Sequence, residues 1–280
     1  MSVINTNVSA TLASNALVKN ERSMTTAMQR LSTGQRINSA MDDAAGLAIS
    51  SRMTAQIRSL EQATRNANDG ISMVQTVEGA SKEITNMLVR MRELAVQGTS
   101  ETYSDTDRDA LDLEFQALLD EIDRIAGDTE WNGEARMNLA AGSDAFSLQI
   151  GTDATQTMDV TFVRWDTAGA AAAAYGVDIS GLDLQDTTNS TAAITALDTA
   201  INGAAAEQAK YGSYISRLQH ASDNLMNVAQ NTDASRSRIA DADYAKETTE
   251  LARTQIIAQA GTAMLAQANQ VKQSVLALLQ

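Results

Sequence analysis

The sequence predicts a mainly α-helical protein: a long antiparallel coiled-coil helical bundle with a small β-hairpin region and paired terminal helices. Three observations predict it. Apolar residues keep a heptad rhythm over long stretches, none of the 280 residues is proline, and both ends of a chain of net charge -14 are almost free of charge. Heptad spacing puts one narrow apolar seam on each helix, the geometry of coiled-coil packing. Without proline, no ring interrupts a helical hydrogen-bond ladder.

Val74, Val77, Ser81, Ile84, Leu88, Met91 and Ala95 step alternately by three and four, as do Leu111, Phe115, Leu118, Ile122 and Ile125. The longest run is Ile194, Leu197, Ile201, Ala204, Gln208, Tyr211, Ile215, Leu218, Ser222, Leu225 and Ala229. Gln208 and Ser222 are polar seam positions, which weaken packing locally and fix register. The helix containing Val74 extends back toward Ala44, about 80 Å at the standard rise per residue. Between the second and third runs the period changes. Trp131-Asn132-Gly133 carries a hairpin turn signal, and Phe146, Leu148, Ile150 and Met158, Val160, Phe162 alternate as in strands. The small-residue tract Ala168–Ala174 and the polar stretch after it read as a surface insertion over 166–191.

No side chain from Met1 to Val18 is charged, and only Lys272 is from Thr254 to Gln280. A surface helix of a soluble monomer normally carries charge on its exposed face. Uncharged terminal helices therefore point to burial against other copies or partners. Ile4, Val8, Leu12 and Ala16 form one stripe; Leu251, Ile257, Met264, Leu265, Val271, Val275, Leu276 and Leu279 are spread along the other helix. Neither stripe supports a stable isolated helix, so both ends are expected to fray in the free monomer and order on assembly.

Composition excludes several classes. An acidic chain of pI near 4.4 lacks the basic surface that nucleic acid requires. No apolar run is long enough to span a membrane, so membrane insertion is not expected. The first residues lack the basic-then-apolar pattern of a signal peptide, so export needs another route. There is no cysteine, and His220 is a lone histidine beside a helix seam, so neither a metal site nor a cofactor site is expected. Asp42-Asp43 and Asp241 with Asp243 read as cap or loop acids rather than cation ligands. No nucleophile–base pair or phosphate loop is visible, so the chain is not read as an enzyme.

Three stretches carry a family resemblance. They are Leu31-Ser32-Thr33-Gly34-Gln35-Arg36-Ile37-Asn38-Ser39-Ala40-Met41-Asp42-Asp43-Ala44-Ala45-Gly46, then Arg65-Asn66-Ala67-Asn68-Asp69-Gly70-Ile71-Ser72, then Ser237-Arg238-Ile239-Ala240-Asp241-Ala242-Asp243-Tyr244-Ala245. With Gln259-Ala260-Gly261-Thr262 and Leu265-Ala266-Gln267-Ala268-Asn269-Gln270, they closely resemble bacterial flagellin over roughly 1–140 and 190–280. Lys272 departs from the proline common after Asn-Gln-Val.

The resemblance implies a subunit that polymerises into the extracellular flagellar filament. It implies an inner terminal-helix domain over 1–43 and 241–280, and a helical rod with β-hairpins over 44–165 and 192–240, with no large outer domain. It implies the flagellar type III export apparatus, a chaperone, and cap and junction proteins as partners. By the same resemblance, Arg90, Leu94 and Glu114 match a segment recognised by Toll-like receptor 5 that is also a subunit contact, although Val89 stands where glutamine is common. Thr187, Thr188, Ser190 and Thr191 are candidate sites of O-glycosylation, and the sequon Asn189-Ser190-Thr191 is read as chance. The rival readings are a hook–filament junction protein and a helical scaffold or signalling module.

Overall fold

The computed structural model describes residues 7–139, 143–167 and 174–277, with side-chain surroundings up to Gln270. Among these residues lie helices α1 (Val8–Thr33), α2 (Ala44–Gly98), α3 (Asp105–Asp128), α4 (Thr187–Ala240) and α5 (Tyr244–Ala277). Strands β1 (Glu130–Trp131), β2 (Glu134–Ala135), β3 (Ser143–Gln149) and β4 (Thr157–Val163) fall between α3 and α4. The chain forms two compact units, one of Met1–Ile57 with Gln230–Gln280 and one of Arg58–Ala229. The division falls inside α2 and α4.

The core of the Arg58–Ala229 unit follows the heptads. Val74, Val77, Ser81, Ile84, Leu88, Met91 and Ala95 of α2 are all buried. They share a cluster with Phe115 and Ile122 of α3 and with Leu197, Ala204, Tyr211 and Leu218 of α4. The polar seam position does what a register pin requires. Gln208 Nε2 donates to Ser81 O at 3.1 Å and to Thr85 Oγ1 at 2.8 Å, so a slipped pairing of α4 on α2 would leave these polar groups unmatched.

Two antiparallel hairpins close this core. In the β1–β2 turn, Asn132 and Gly133 have φ of 55° and 78°, the left-handed pair that a two-residue turn needs to match strand twist. In the second hairpin Leu148 pairs with Met158 and Phe146 with Val160. Leu148, Met158, Val160 and Phe162 turn one face of this ribbon into the core.

Of the surface insertion expected over 166–191, residues 168–173 lie outside the described residues, and the described remainder has buried anchors between its exposed positions. Trp165, Tyr175, Ile179 and Leu184 are fully buried, and Asp166 and Thr167 are largely so. Thr167 donates from its N–H and hydroxyl to the two carboxylate oxygens of Asp123 at 2.6 and 2.8 Å. Leu184 N donates to Asp112 Oδ1 at 2.9 Å. Trp165 Nε1 donates to the Tyr211 hydroxyl at 3.1 Å, Tyr175 donates to Trp165 O, and the Trp165 and Tyr175 rings meet edge to face. Burial pushes the Tyr175 and Tyr211 phenols above their ordinary range. The few aromatic residues are thus concentrated where this strap crosses α3 and α4. Composition misled because polar residues predominate in 176–191 while isolated Tyr175, Ile179 and Leu184 anchor it. α4 then begins at Thr187, capped by Asp186, whose carboxylate accepts from Asn189 N at 2.7 Å.

Gly203 shows how closely the strap sits on α4. A Cβ there would lie 2.5 Å from Ala174 O and 2.8 Å from Tyr175 O. Alanine improves helix propensity by about 1 kcal/mol at an unencumbered site, but here it meets backbone. Gly203→Ala is expected to lower the urea midpoint of unfolding, and an unchanged or higher midpoint would refute the strap packing.

Candidate assembly interface

In the Met1–Ile57/Gln230–Gln280 unit, α1 and α5 pack along a seam that mixes small, polar and aliphatic residues. On α1, Ala10, Ala13, Leu17, Asn20, Met24, Ala27 and Leu31 form a series of buried or half-buried positions stepping by three and four. On α5 the equivalent series is Glu247, Leu251, Thr254, Ala258, Gly261, Leu265 and Ala268. Both are heptad seams. Asn20, itself buried, donates to Thr254 O at 2.7 Å. Arg30 pairs with Glu247 at 3.1 Å, Tyr244 donates to Leu31 O at 3.3 Å, and Asn7 donates to Ala268 O at 3.3 Å. Gly261 lets Leu17 come close, since a Cβ there would stand 2.6 Å from Leu17 Cδ2.

The connections at one end of this pair are laced together. Arg36 N donates to Ala240 O at 2.7 Å and Ala242 N to Gly34 O at 2.9 Å. The Arg36 guanidinium donates to Ile239 O at 3.2 and 2.7 Å, covering a carbonyl at the α4 C-terminus. The acids singled out from the sequence are local caps. Asp42 accepts from Asn38 N, Ser39 N and Ser39 Oγ, Asp43 accepts from Gly46 N, and Asp243 accepts from Ala245 N. His220 lies exposed on α4.

Large apolar residues divide between seam and surface: Leu17, Met24, Leu31, Leu251 and Leu265 lie half-buried in the seam, and others face outward. Leu12 is 71% exposed and Met264 66%, and Val8, Val18, Met28, Ile256 and Ile257 are also exposed. Of the assembly residues expected from the sequence, Val8, Leu12, Ile257 and Met264 lie on this outer surface, while Leu251 and Leu265 are half-buried in the seam. Ile4 and Leu279 fall outside the described residues, as do the side chains of Val271, Val275 and Leu276. Neither terminal helix is isolated; each supplies the other's seam. Sequence reasoning missed Asn20 and Thr254 as its hydrogen-bonded centre, and missed Val18, Met28 and Ile256 on the outside. The three–four spacing of Ala10 to Leu31 was the signal.

Charge divides sharply between the units. The unit containing the termini has ten basic and eight acidic residues, whereas Arg58–Ala229 has eleven basic and twenty-seven acidic. A near-neutral surface with exposed aliphatic side chains permits close approach of like molecules, and a strongly acidic one resists it.

The other expected contacts divide. Arg90 pairs with Glu114 at 2.8 Å and Glu93 at 3.0 Å, and its hydrogen bond to the Glu114 carboxylate is the main cause holding the guanidinium pKa above its ordinary value. Arg90 and Glu114 are thus surface groups paired within one chain. Leu94 is only 1% exposed, so it belongs to the core and offers a partner nothing directly. Among the glycosylation candidates, Thr188 and Thr191 are exposed and Thr187 partly so. Ser190 is fully buried and donates to Asp186 O at 2.8 Å, which removes it as an exposed acceptor.

A helical body and a near-neutral terminal-helix pair presenting apolar side chains are the features of a chain suited to association with like molecules. Residues 4–141 match the family model of the bacterial flagellin N-terminal helical region, and 194–279 that of the C-terminal helical region. A flagellin of Halalkalibacterium halodurans is 43% identical over 277 residues, covering 99% of both chains. The flagellar filament 33 kDa core protein of Treponema phagedenis is 40% identical over 294 residues, again covering 99% of each. A hook-associated protein structure from Vibrio parahaemolyticus shares the fold at TM-score 0.58, 14% identical, over 71% of this chain and all of that one. The chain belongs to the bacterial flagellin family, whose members are structural subunits of the extracellular flagellar filament, and it is a short form.

The cap acids predict a pH response. A hydrogen bond from the Ser39 hydroxyl, followed by backbone donors, holds the Asp42 pKa below the ordinary carboxylate value; the Ser104 hydroxyl does so for Asp107 at the start of α3. A lowered folded pKa adds stability that is present above the ordinary value and lost as pH falls through the folded one. Asp107→Asn should therefore lower stability at neutral pH and shrink the wild-type advantage on acidification, as read by urea midpoints from neutral pH to below the carboxylate range. An advantage that persists unchanged at the acid end would contradict the capping role.

Proposed function

We propose that this chain polymerises into the flagellar filament through the outward apolar surface of α1 and α5. The observation that carries this reading is the apolar surface left over along those helices: the seam between them has a buried hydrogen-bonded centre at Asn20 and Thr254, and Val8, Leu12, Ile256 and Met264 stand outside it. Burying such side chains between copies supplies a non-directional driving force. Asn20, Thr254 and Tyr244 already hold partners within the pair, so association need not strip them.

In this reading the terminal helices form the inner layer, about 1–43 and 241–280, and 44–165 with 192–240 form the surrounding rod. Filament shape comes from the rod, and rotation comes from the motor to which the filament is attached. Export through the flagellar type III apparatus, a chaperone on the C-terminal helix, and cap and junction proteins are the partners that accompany this role. No catalytic step is assigned. The Arg90–Glu114 surface is the segment offered to Toll-like receptor 5, with Leu94 acting only through the shape of the helix that carries Arg90. Thr187, Thr188 and Thr191 remain the positions for an O-linked glycan.

Seeded elongation tests the assembly reading. Purified chain added to short filament seeds should yield long tubes by negative-stain electron microscopy, and deletion of 254–280 should abolish them. Leu12→Asp and Met264→Asp should leave circular dichroism and thermal unfolding close to wild type, because both positions are exposed. Each removes about 1.5–3 kcal/mol of apolar burial per contact, so the critical concentration should rise at least tenfold. Elongation of both variants at the wild-type critical concentration would overturn the assignment.

A further inference from the structure

A second feature of the Arg58–Ala229 unit lies outside the terminal helices. A cavity of about 280 Å³ opens between α2 and the two hairpins, lined by Asp69, Met73, Trp131, Phe146, Leu148 and Gln149 among others. Its depth comes from Gly70, where a Cβ would lie 2.4 Å from Leu148 Cδ1; glycine lets β3 settle against α2. Met73 and Leu148 are buried, while the half-buried Trp131 and Phe146 supply aromatic walls.

The polar lining is mostly committed. Asn66 Nδ2 donates to Gln149 O at 3.0 Å, Asn66 Oδ1 accepts from Gln62, and Gln149 Nε2 donates to Gly151 O and Asp153 O. The exceptions are the Ser147 hydroxyl and Asp69, an exposed carboxylate that makes no ion pair or hydrogen bond with the described residues. A carboxylate beside two aromatic rings and an aliphatic floor recognises an alkyl chain ending in a cation. The chain already shows this chemistry at one of these rings, with the Arg136 guanidinium 5.0 Å from the Phe146 centroid.

We infer that this cavity receives a lysine or arginine side chain from a second copy of the chain, with Asp69 as its counter-ion and Trp131 and Phe146 against its stem. The occupant follows from charge. The unit bearing the cavity has twenty-seven acidic residues to eleven basic, whereas the terminal unit has ten basic to eight acidic. Lys19 and Arg22 of that unit form no ion pair among the described residues. Copies brought together by their terminal helices thus hold cations in excess on one unit and carboxylates in excess on the other. The inference rests on the filament reading and adds a contact that locks neighbours in register.

The test uses the full chain and both tryptophans. Trp165 is fully buried and serves as an internal reference, while Trp131 lines the cavity. Acrylamide should quench Trp131 in the monomer and lose access to it in the filament. Asp69→Asn should fold as wild type and raise the critical concentration for seeded elongation roughly three- to tenfold, with Asp69→Lys worse. Asp120→Asn makes the same change in net charge on exposed α3 and should have little effect. Failure of the wild type to elongate would sink the filament reading itself. Wild-type elongation with Asp69→Asn indistinguishable from Asp120→Asn would overturn the cation pocket while leaving that reading intact. Trp131 equally quenched in filament and monomer would show the cavity unfilled and overturn it independently.

Discussion

The buried hydrogen bond from Asn20 to Thr254 O is the contact around which the assembly surface is organised. It lies near the middle of the α1–α5 seam, where a leucine pair would ordinarily sit. A polar residue at one seam position specifies register at some cost in stability. Here the seam's large apolar residues, Leu17, Met24, Leu31, Leu251 and Leu265, are only half-buried. Leu12, Val18, Ile256 and Met264 lie outside it on the surface. An isolated chain carries exposed apolar area as a result, and association with further copies is the physical way to bury it.

The same logic explains the different construction of the two units. The Arg58–Ala229 unit has aromatic and long aliphatic residues in its core, and its register is pinned by Gln208 against Ser81 and Thr85. It is internally complete, and its acidic surface keeps copies apart in solution. The terminal unit has little core of its own, near-balanced charge and an outer surface still to be covered. One unit thus gives the subunit a fixed shape and the other gives it a reason to assemble.

Much of this was legible in the sequence because heptads report directly on burial. Every α2 seam position from Val74 to Ala95 is buried where its spacing placed it, and Trp131-Asn132-Gly133 makes the expected hairpin turn. The failures have identifiable causes. Residues 166–191 read as surface because single anchors such as Tyr175 and Leu184 have no period, and the carboxylates that receive this strap, Asp112 and Asp123, are distant in sequence. Ser190 stands among hydroxyl residues that look equally available, yet only its neighbours at 188 and 191 face solvent. Leu94 was grouped with the surface residue Arg90, although four residues along a helix is about one turn and a modest rotation suffices to move a side chain into the core. On the terminal helices, large apolar residues drew attention to the outside while the quiet series Ala10, Ala13, Leu17, Asn20 marked the inside.

Side-chain footprinting of monomer and filament tests the central claim most directly. Hydroxyl radicals followed by peptide mass spectrometry read the accessibility of Val8, Leu12, Val18, Met28, Ile256, Ile257 and Met264 individually. The account predicts strong modification of these residues in the monomer and protection of most of them in the filament, with Val77, Ile84 and Leu88 protected in both. If the terminal-helix residues remain as reactive in the filament as in the monomer, the outward apolar surface does not drive assembly.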